Sequence, residues 1–324
     1  MSSLYANSEV ALHKYVLYGL GIHTEVPLWG EEVEDCPVDV RIAWRIDENP
    51  IPDSKPGRQV SSHESEREIR FSWPGIATMF IRRGREIEIE TGAREGVNHA
   101  RHLIAGLGMG LILHQRGVFT LHASTIGIGR SAVGIAGAKR SGKSTTAAAL
   151  TGRGHTLLSD DVLALEMPEN DAPRVLPGPR TINLWPNTLQ ALGQDPAELP
   201  MIWPRSTKRI SMVPVWGERE NLPLRCIFFL ELSKMVDEPS VERLKPGEAV
   251  QLLIGHSHAL RMIEDREAMP QHLLQCGRVA QEVGMFRLRR PRSQDSIQDV
   301  ARLIESTLDS LVSMDEMSAR ASAS

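Results

Sequence analysis

Eight residues, Gly137-Ala-Lys-Arg-Ser-Gly-Lys-Ser144, constrain this chain more than any other stretch. They fit the pattern Gly, four residues, Gly-Lys-Ser/Thr, which is a tight turn from a strand into a helix. The apolar run at 131–136 reads as a short buried strand. The alanine-rich run after the loop reads as a helix over 143–153, stopped by Gly152 and Gly154. Glycine lets backbone N–H groups turn inward on a phosphate chain, and the helix N-terminus adds its positive end. Gly137, Ala138, Lys139, Arg140, Ser141, Gly142, Lys143, Ser144 and Thr145 are therefore the expected nucleotide-binding residues. Lys143 would reach the β- and γ-phosphates, and the Ser144 hydroxyl would ligand Mg²⁺. The competing reading is a chance glycine-rich turn, against which stand the full spacing and both flanks.

Two further stretches carry chemistry. In His155-Thr-Leu-Leu-Ser-Asp-Asp-Val-Leu-Ala-Leu-Glu166, adjacent aspartates interrupt an apolar strand run. Buried carboxylates are costly unless a cation or donor meets them, and beside a nucleotide loop that partner is Mg²⁺. The alternative is a hairpin turn with one carboxylate merely solvated. Neighbours on a regular strand face opposite sides, so both Asp160 and Asp161 enter one site only if the strand ends or kinks there. Upstream, residues 118–137 read as a hairpin turning at Gly129-Arg130. Its register puts His122 opposite roughly residue 137, at the mouth of the phosphate site, unless His122 is an ordinary packed strand histidine.

At 324 residues, with 41% hydrophobic and 24% charged residues, the chain has the composition of a two-domain globular protein. A net charge of −4 argues against a nucleic-acid-coating role. Cys36, Cys226 and Cys276 match no zinc or CxxC spacing and suit a reducing compartment. The N-terminal residues lack the basic and apolar regions of a secretory signal, and the run 103–113 is too short to span a bilayer. The expectation is a cytoplasmic protein with no membrane or nucleic-acid partner; a homo-oligomer is allowed.

Strand patterns over 15–26, 38–46, 68–73, 76–81 and 86–91, with turns at Pro74-Gly75 and Arg83-Gly84, predict an antiparallel sheet, and 48–64 reads as a loop. The domains read as a strand-rich N-terminal domain over 1–94, a connecting buried helix over 95–117, a catalytic domain over 118–312 and a disordered tail over 313–324. Within the third, 167–183 reads as a proline-rich connection, strands are expected at 225–232 and 285–289, and helices at 186–192, 247–263, 269–283 and 296–312. His256, His258 and His272 show no metal-ligand spacing and read as packing or solvated residues. The fold class is α+β.

The run from Leu121-His-Ala-Ser through Gly137-x4-Gly-Lys-Ser-Thr and Arg153-Gly-His155 to Ser159-Asp-Asp161 resembles the catalytic domain of the HPr serine kinase/phosphorylase family, over about fifty residues. It is similar to the peptide kinases of lasso-peptide clusters. The resemblance implies a P-loop kinase domain of the HPr kinase/PEP carboxykinase-like type. It also implies an ATP- and Mg²⁺-dependent kinase that phosphorylates a serine-type hydroxyl on a peptide or protein. Asp161 would then accept the hydroxyl proton, Asp160 would help Ser144 hold Mg²⁺, and His122 would orient the base or touch the γ-phosphate. Lys143 would act on the transferred group; Arg180, Lys208 and Arg209 read first as ordinary surface basic residues, and otherwise as late-arriving charge on the transferred phosphoryl group. Thr145 stands where those enzymes typically have glutamate, and Pro177-Gly-Pro-Arg-Thr-Ile replaces their Glu-x-Arg-Gly-x-Gly signature, so HPr itself is not the expected acceptor. A nucleotide-driven switch or assembly ATPase, or a kinase of a small-molecule alcohol, are the alternatives; neither Asn-Lys-x-Asp nor Leu-Ser-Gly-Gly-Gln occurs.

Overall fold

Tyr18 and Gly19, at φ 55° and 73°, turn the first apolar run back on itself. The stretch read as one strand is therefore a hairpin of β1 (His13–Leu17) and β2 (Leu20–Thr24). The structure, a computed structural model, describes residues 12–47, 59–63, 68–73, 77–92, 94–202, 206–213, 220–258, 267–292 and 296–322. Its elements are several sheets with helices, a mixed α/β architecture consistent with α+β. The chain divides into two units, Met1–Val118 and Phe119–Ser324. The turn expected at Pro74-Gly75, residues 259–263 of one expected helix and the last two residues lie outside the described residues.

In the first unit, β3 (Val40–Asp47), β4 (Gln59–His63), β5 (Glu68–Trp73), β6 (Ala77–Arg82) and β7 (Glu86–Gly92) complete a seven-stranded sheet. Its order is β1-β2-β3-β7-β6-β5-β4. The expected antiparallel pairing holds for β1–β2 and from β7 to β4, but β2–β3 and β3–β7 are parallel. Local patterning assumes that successive strands pair, whereas here β3 is joined to a strand about forty residues on. β4 lies inside the stretch read as a loop; its single apolar residue leaves no alternation to detect, and it holds on as an edge strand through backbone pairing to β5.

Residues 94–115 are helical as expected: α1 (Arg94–Leu103), a π-helical turn (Ile104–Gly108) and α2 (Met109–Gln115). The segment belongs to the first unit. Ile104, Met109, Leu111 and Ile112 are fully enclosed, as are Ile81, Ile87 and Ile89 of the sheet. Gly108 permits the approach, because a Cβ there would stand 3.3 Å from Ile87 and 3.4 Å from Met79.

The second unit is built on a six-stranded sheet of order β11-β9-β10-β16-β18-β17. It comprises β9 (Ala123–Ile128), β10 (Ser131–Gly137), β11 (Thr156–Ser159), β16 (Leu224–Leu232), β17 (Ser240–Arg243) and β18 (Gly284–Arg290). β10, β16 and β18 run parallel. A second sheet holds β8 (Phe119–Leu121), β12 (Leu163–Glu166) and β13 (Arg174–Leu176), and β14 (Thr181–Leu184) pairs with β15 (Arg209–Met212) as a separate ribbon.

Period-two alternation splits the core between the two faces of the large sheet. Val133, Ile135, Phe228 and Leu230 face α3 (Lys143–Gly152) and α7 (Ile297–Ser322). Ala132, Ala136, Ile227 and Phe229 face the small sheet, α5 (Pro246–Gly255) and α6 (Met269–Glu282). Each such valine, isoleucine, leucine or phenylalanine, once buried, stabilises the fold by about 1.5–3 kcal/mol. The short α4 (Pro186–Ala191) follows β14. α7 continues past residue 312 to Ser322, where Met317, Ala319 and Ala321 are favourable helix formers. Cys226 and Cys276 are buried free thiols whose pKa burial pushes up to about 12. Among the described residues no helix is long and apolar enough to cross a membrane.

Candidate active site

β10 ends at Gly137, β16 at Leu232 and β18 at Arg290. Because the three are parallel, their carboxyl ends share one edge of the sheet, the edge at which open α/β sheets hold ligands. A cavity of about 620 Å³ opens there, and it gathers the loop, His122, Asp160 and Asp161 around one space. Its lining carries the basic residues Lys139, Arg140, Lys143, Lys208, Arg290 and Arg292 against the carboxylates Asp160 and Asp161. That surplus of positive charge suits a polyanion.

The loop has the conformation its glycines allow. Gly142 caps α3 at φ 105°, and a Cβ on it would stand 2.5 Å from the Arg290 guanidinium. Gly137 is at φ 147°, and a Cβ there would stand 2.7 Å from the Leu230 carbonyl. Arg140 also adopts a positive φ, 70°. The Lys143 ammonium folds back over the loop, donating to the Gly137 and Ala138 carbonyls at 2.9 and 3.4 Å. Beneath the loop, Arg290 donates through Nη2 to the Ser141 carbonyl at 3.2 Å, and burial holds its pKa below the usual guanidinium value. Thr145 lines the cavity, and the buried Ser141 hydroxyl has no partner among the described residues.

β11 ends at Ser159 and β12 begins at Leu163, in different sheets, so the aspartate pair falls in the gap between two ladders. Asp161 takes φ 79°. The strand thus breaks where the pair needs it to, and both side chains line the one cavity. Asp160 Oδ1 accepts from the Ser124 hydroxyl at 2.6 Å and the Ser144 hydroxyl at 3.2 Å, while Oδ2 accepts from the Asn183 N–H at 3.2 Å. Burial raises its pKa and the neighbouring Asp161 adds to the rise; Ser124, Asn183 and Lys208 oppose it. The Asp160–Ser144 pair is an all-oxygen set, the donor type that hard divalent cations prefer.

His122 interrupts the expected strand: β8 ends at Leu121 and β9 begins at Ala123. The register of β9 on β10, Ala123 opposite Ala136, extrapolates to His122 beside Gly137 as the hairpin reading requires. The His122 N–H donates to the His256 carbonyl at 2.8 Å. Its Nδ1 lies 3.0 Å from Asp161 Oδ1 and 3.1 Å from the Asp161 carbonyl oxygen. Since both neighbours are acceptors, Nδ1 carries the proton.

His258, read from sequence as a packing or solvated residue, is buried but also belongs to this cluster. Its N–H donates to the Thr120 carbonyl, its ring centroid is 6.2 Å from that of His122, and the ligand atoms of His122, Asp161 and His258 lie within 4.8 Å of one another. Asn183, Trp185, Arg290 and Arg292 are further lining residues that sequence reasoning missed. The one usable signal was Arg289-Arg-Pro-Arg292, where an apolar strand ends in arginines. Of the three late-charge candidates only Lys208 lines the cavity. Arg209 Nε donates to the Pro196 carbonyl at 2.8 Å, and the Arg180 carbonyl accepts from the Val213 N–H.

No family model matches the chain, and no curated protein does. Among solved structures, the Hpr(Ser) kinase/phosphatase from Coxiella burnetii is similar to 61% of this chain and is itself 95% covered, at 16% identity and a TM-score of 0.35.

Proposed function

We propose that the protein is a Mg²⁺-dependent kinase that transfers the γ-phosphate of ATP to a serine-type hydroxyl on a peptide or protein. The observation that carries this reading is the division of labour around one cavity. Asp160 and Ser144 share a hydrogen bond on the loop side, while Asp161 is held by His122 beside them. Two adjacent carboxylates in different surroundings can take different roles.

The residues fit the groups the reaction needs. The loop lysine and the basic lining suit a triphosphate, and the Asp160–Ser144 oxygens suit Mg²⁺. Bound there, Mg²⁺ supplies positive charge to the β- and γ-phosphates. Lys143 meets phosphate oxygens once its carbonyl contacts are exchanged for them. Asp161 accepts the proton of the incoming hydroxyl, and His122 holds that carboxylate in place through its Nδ1–H. The chain's contribution is mostly positioning and charge neutralisation, as phosphoryl transfer requires.

The test is incubation of the full chain with ATP, Mg²⁺ and serine-containing peptides, including those encoded beside its gene, read by mass spectrometry. A gain of one phosphoryl mass on peptide, lost in Lys143→Ala, is the expected result. Nucleotide hydrolysis that depends on a partner protein, with no phosphorylated product, would overturn it in favour of a switch ATPase.

A further inference from the structure

The β14–β15 ribbon belongs to neither larger sheet. Its register pairs Leu184 with Arg209, so the next residues outward, Trp185 and Lys208, stand across from each other at its end. Both line the cavity. The Lys208 ammonium lies 5.3 Å from the centre of the Trp185 ring, which remains 37% exposed, and 3.4 Å from the Asn183 carbonyl oxygen. One residue thus joins the ribbon to both sides of the site, because the N–H of the same Asn183 donates to Asp160 Oδ2.

Lys208 and Lys143 are held in contrasting ways. Lys143 is buried and bonded to two loop carbonyls at 2.9 and 3.4 Å. Lys208 has a single long bond, to a neutral carbonyl, and its charge acts on Asp160 without a carboxylate bridge among the described residues. A lysine that served only to fix the ribbon would be expected to spend its donors on a carboxylate or several carbonyls. An aromatic face instead orients the ammonium while leaving its protons for another acceptor. Asn183 also lines the cavity, and its Oδ1 is buried with no partner among the described residues.

We propose that Lys208 is a further catalytic residue that meets the phosphoryl group in transit, with Trp185 as its positioning platform. This rests on the kinase reading above. In the step, the bond from the γ-phosphorus to the bridging oxygen breaks and its electron pair stays with the nucleoside diphosphate. The acceptor oxygen bonds to phosphorus, and its proton passes to Asp161. Lys208 donates to a non-bridging oxygen and is unchanged. Loop and ribbon then approach the phosphates from different elements, one lysine from each.

The experiment compares binding of Mg·ADP alone with binding of Mg·ADP plus fluoroaluminate, a mimic of the phosphoryl group in transit, by calorimetry on the full chain. It needs no knowledge of the acceptor. The expected result is that Lys208→Met keeps Mg·ADP affinity within about twofold but loses at least about tenfold of the gain from fluoroaluminate. Lys208→Arg, which keeps the charge and the ring contact, should recover most of that gain, separating loss of charge from loss of ribbon packing. Equal gains in wild type and Lys208→Met would overturn the assignment while leaving the kinase reading intact. Failure of the wild type to bind Mg·ADP would overturn both.

Discussion

His122 Nδ1 stands 3.0 Å from the side-chain oxygen of Asp161 and 3.1 Å from its backbone oxygen, so one imidazole N–H holds both ends of the same residue. The left-handed backbone of Asp161 is what brings its two oxygens to a common donor. Asp161→Asn keeps the shape and removes the base. Phosphoryl transfer should fall by about 10²–10⁴-fold while nucleotide binding persists, read as a kcat loss beside an unchanged Kd. His122→Ala should cost about 10–100-fold in kcat by freeing the carboxylate. Wild-type turnover in Asp161→Asn would end the base assignment.

Gly142 is fixed by two independent constraints, its φ of 105° and the Arg290 guanidinium where a Cβ would go. Gly142→Ala should destabilise the second unit by about 1–3 kcal/mol and weaken nucleotide binding. Adding Arg290→Ala relieves the clash but not the backbone strain, so denaturant unfolding of the double variant should show partial recovery at most. Full recovery would mean that the positive φ costs nothing.

Asp160 makes stability depend on pH in an uncommon direction. Burial first, and Asp161 second, hold its carboxyl above the ordinary range. The unfolded chain therefore releases this proton at lower pH than the folded one. The residue's contribution is full below the unfolded value and is lost as pH rises through the raised folded value. Magnesium ion competes with that proton, so the Mg²⁺-induced rise in Tm should grow across the same window. At a hundredfold excess over Kd the gain is about 2.7 kcal/mol. Thermal unfolding against pH, with and without Mg²⁺, checks this. An undiminished Mg²⁺ effect in Asp160→Asn would remove Asp160 from the metal site.

Glu305 behaves in the opposite sense. The Arg153 guanidinium grips its two oxygens at 2.7 Å each and His155 Nε2 adds a contact at 2.7 Å, so its carboxyl is held below the ordinary range, chiefly by Arg153. The stability it lends to the joint between α3 and α7 is present above the unfolded value and is lost as pH falls through the depressed folded one. Glu305→Gln should lower stability at neutral pH and leave it unchanged in strong acid, measured by urea unfolding.

The parts of the site legible in the sequence are those whose physics is local. The loop from Gly137 to Ser144 announces itself because its glycines, lysine and helix start are contiguous, and Asp160-Asp161 because paired charges stand out in an apolar run. His122 was legible one step further out, through a hairpin whose register the turn at Gly129 sets. Asn183 and Arg290, which line the cavity, and His258, which lies beside His122 and Asp161, were not, since their placement depends on long-range pairing. The same limit hid the parallel pairing of β3 with β7, and β4 was missed because an edge strand with one apolar residue has no period to read.

The double change of sheet between β8 and β9, and between β11 and β12, has a consequence for where chemistry can sit. Leu121 pairs with Leu163 in one sheet, while Thr125 pairs with Ser159 in the other. His122, Asp160 and Asp161 thus occupy a seam where two strands migrate side by side and neither ladder imposes its alternation. A regular strand could have offered the cavity only every second residue. At the seam, consecutive aspartates turn the same way, and a histidine from the neighbouring crossing is within reach of both atoms it must grip. An insertion that restored either strand to continuity would turn one carboxylate away from the cavity.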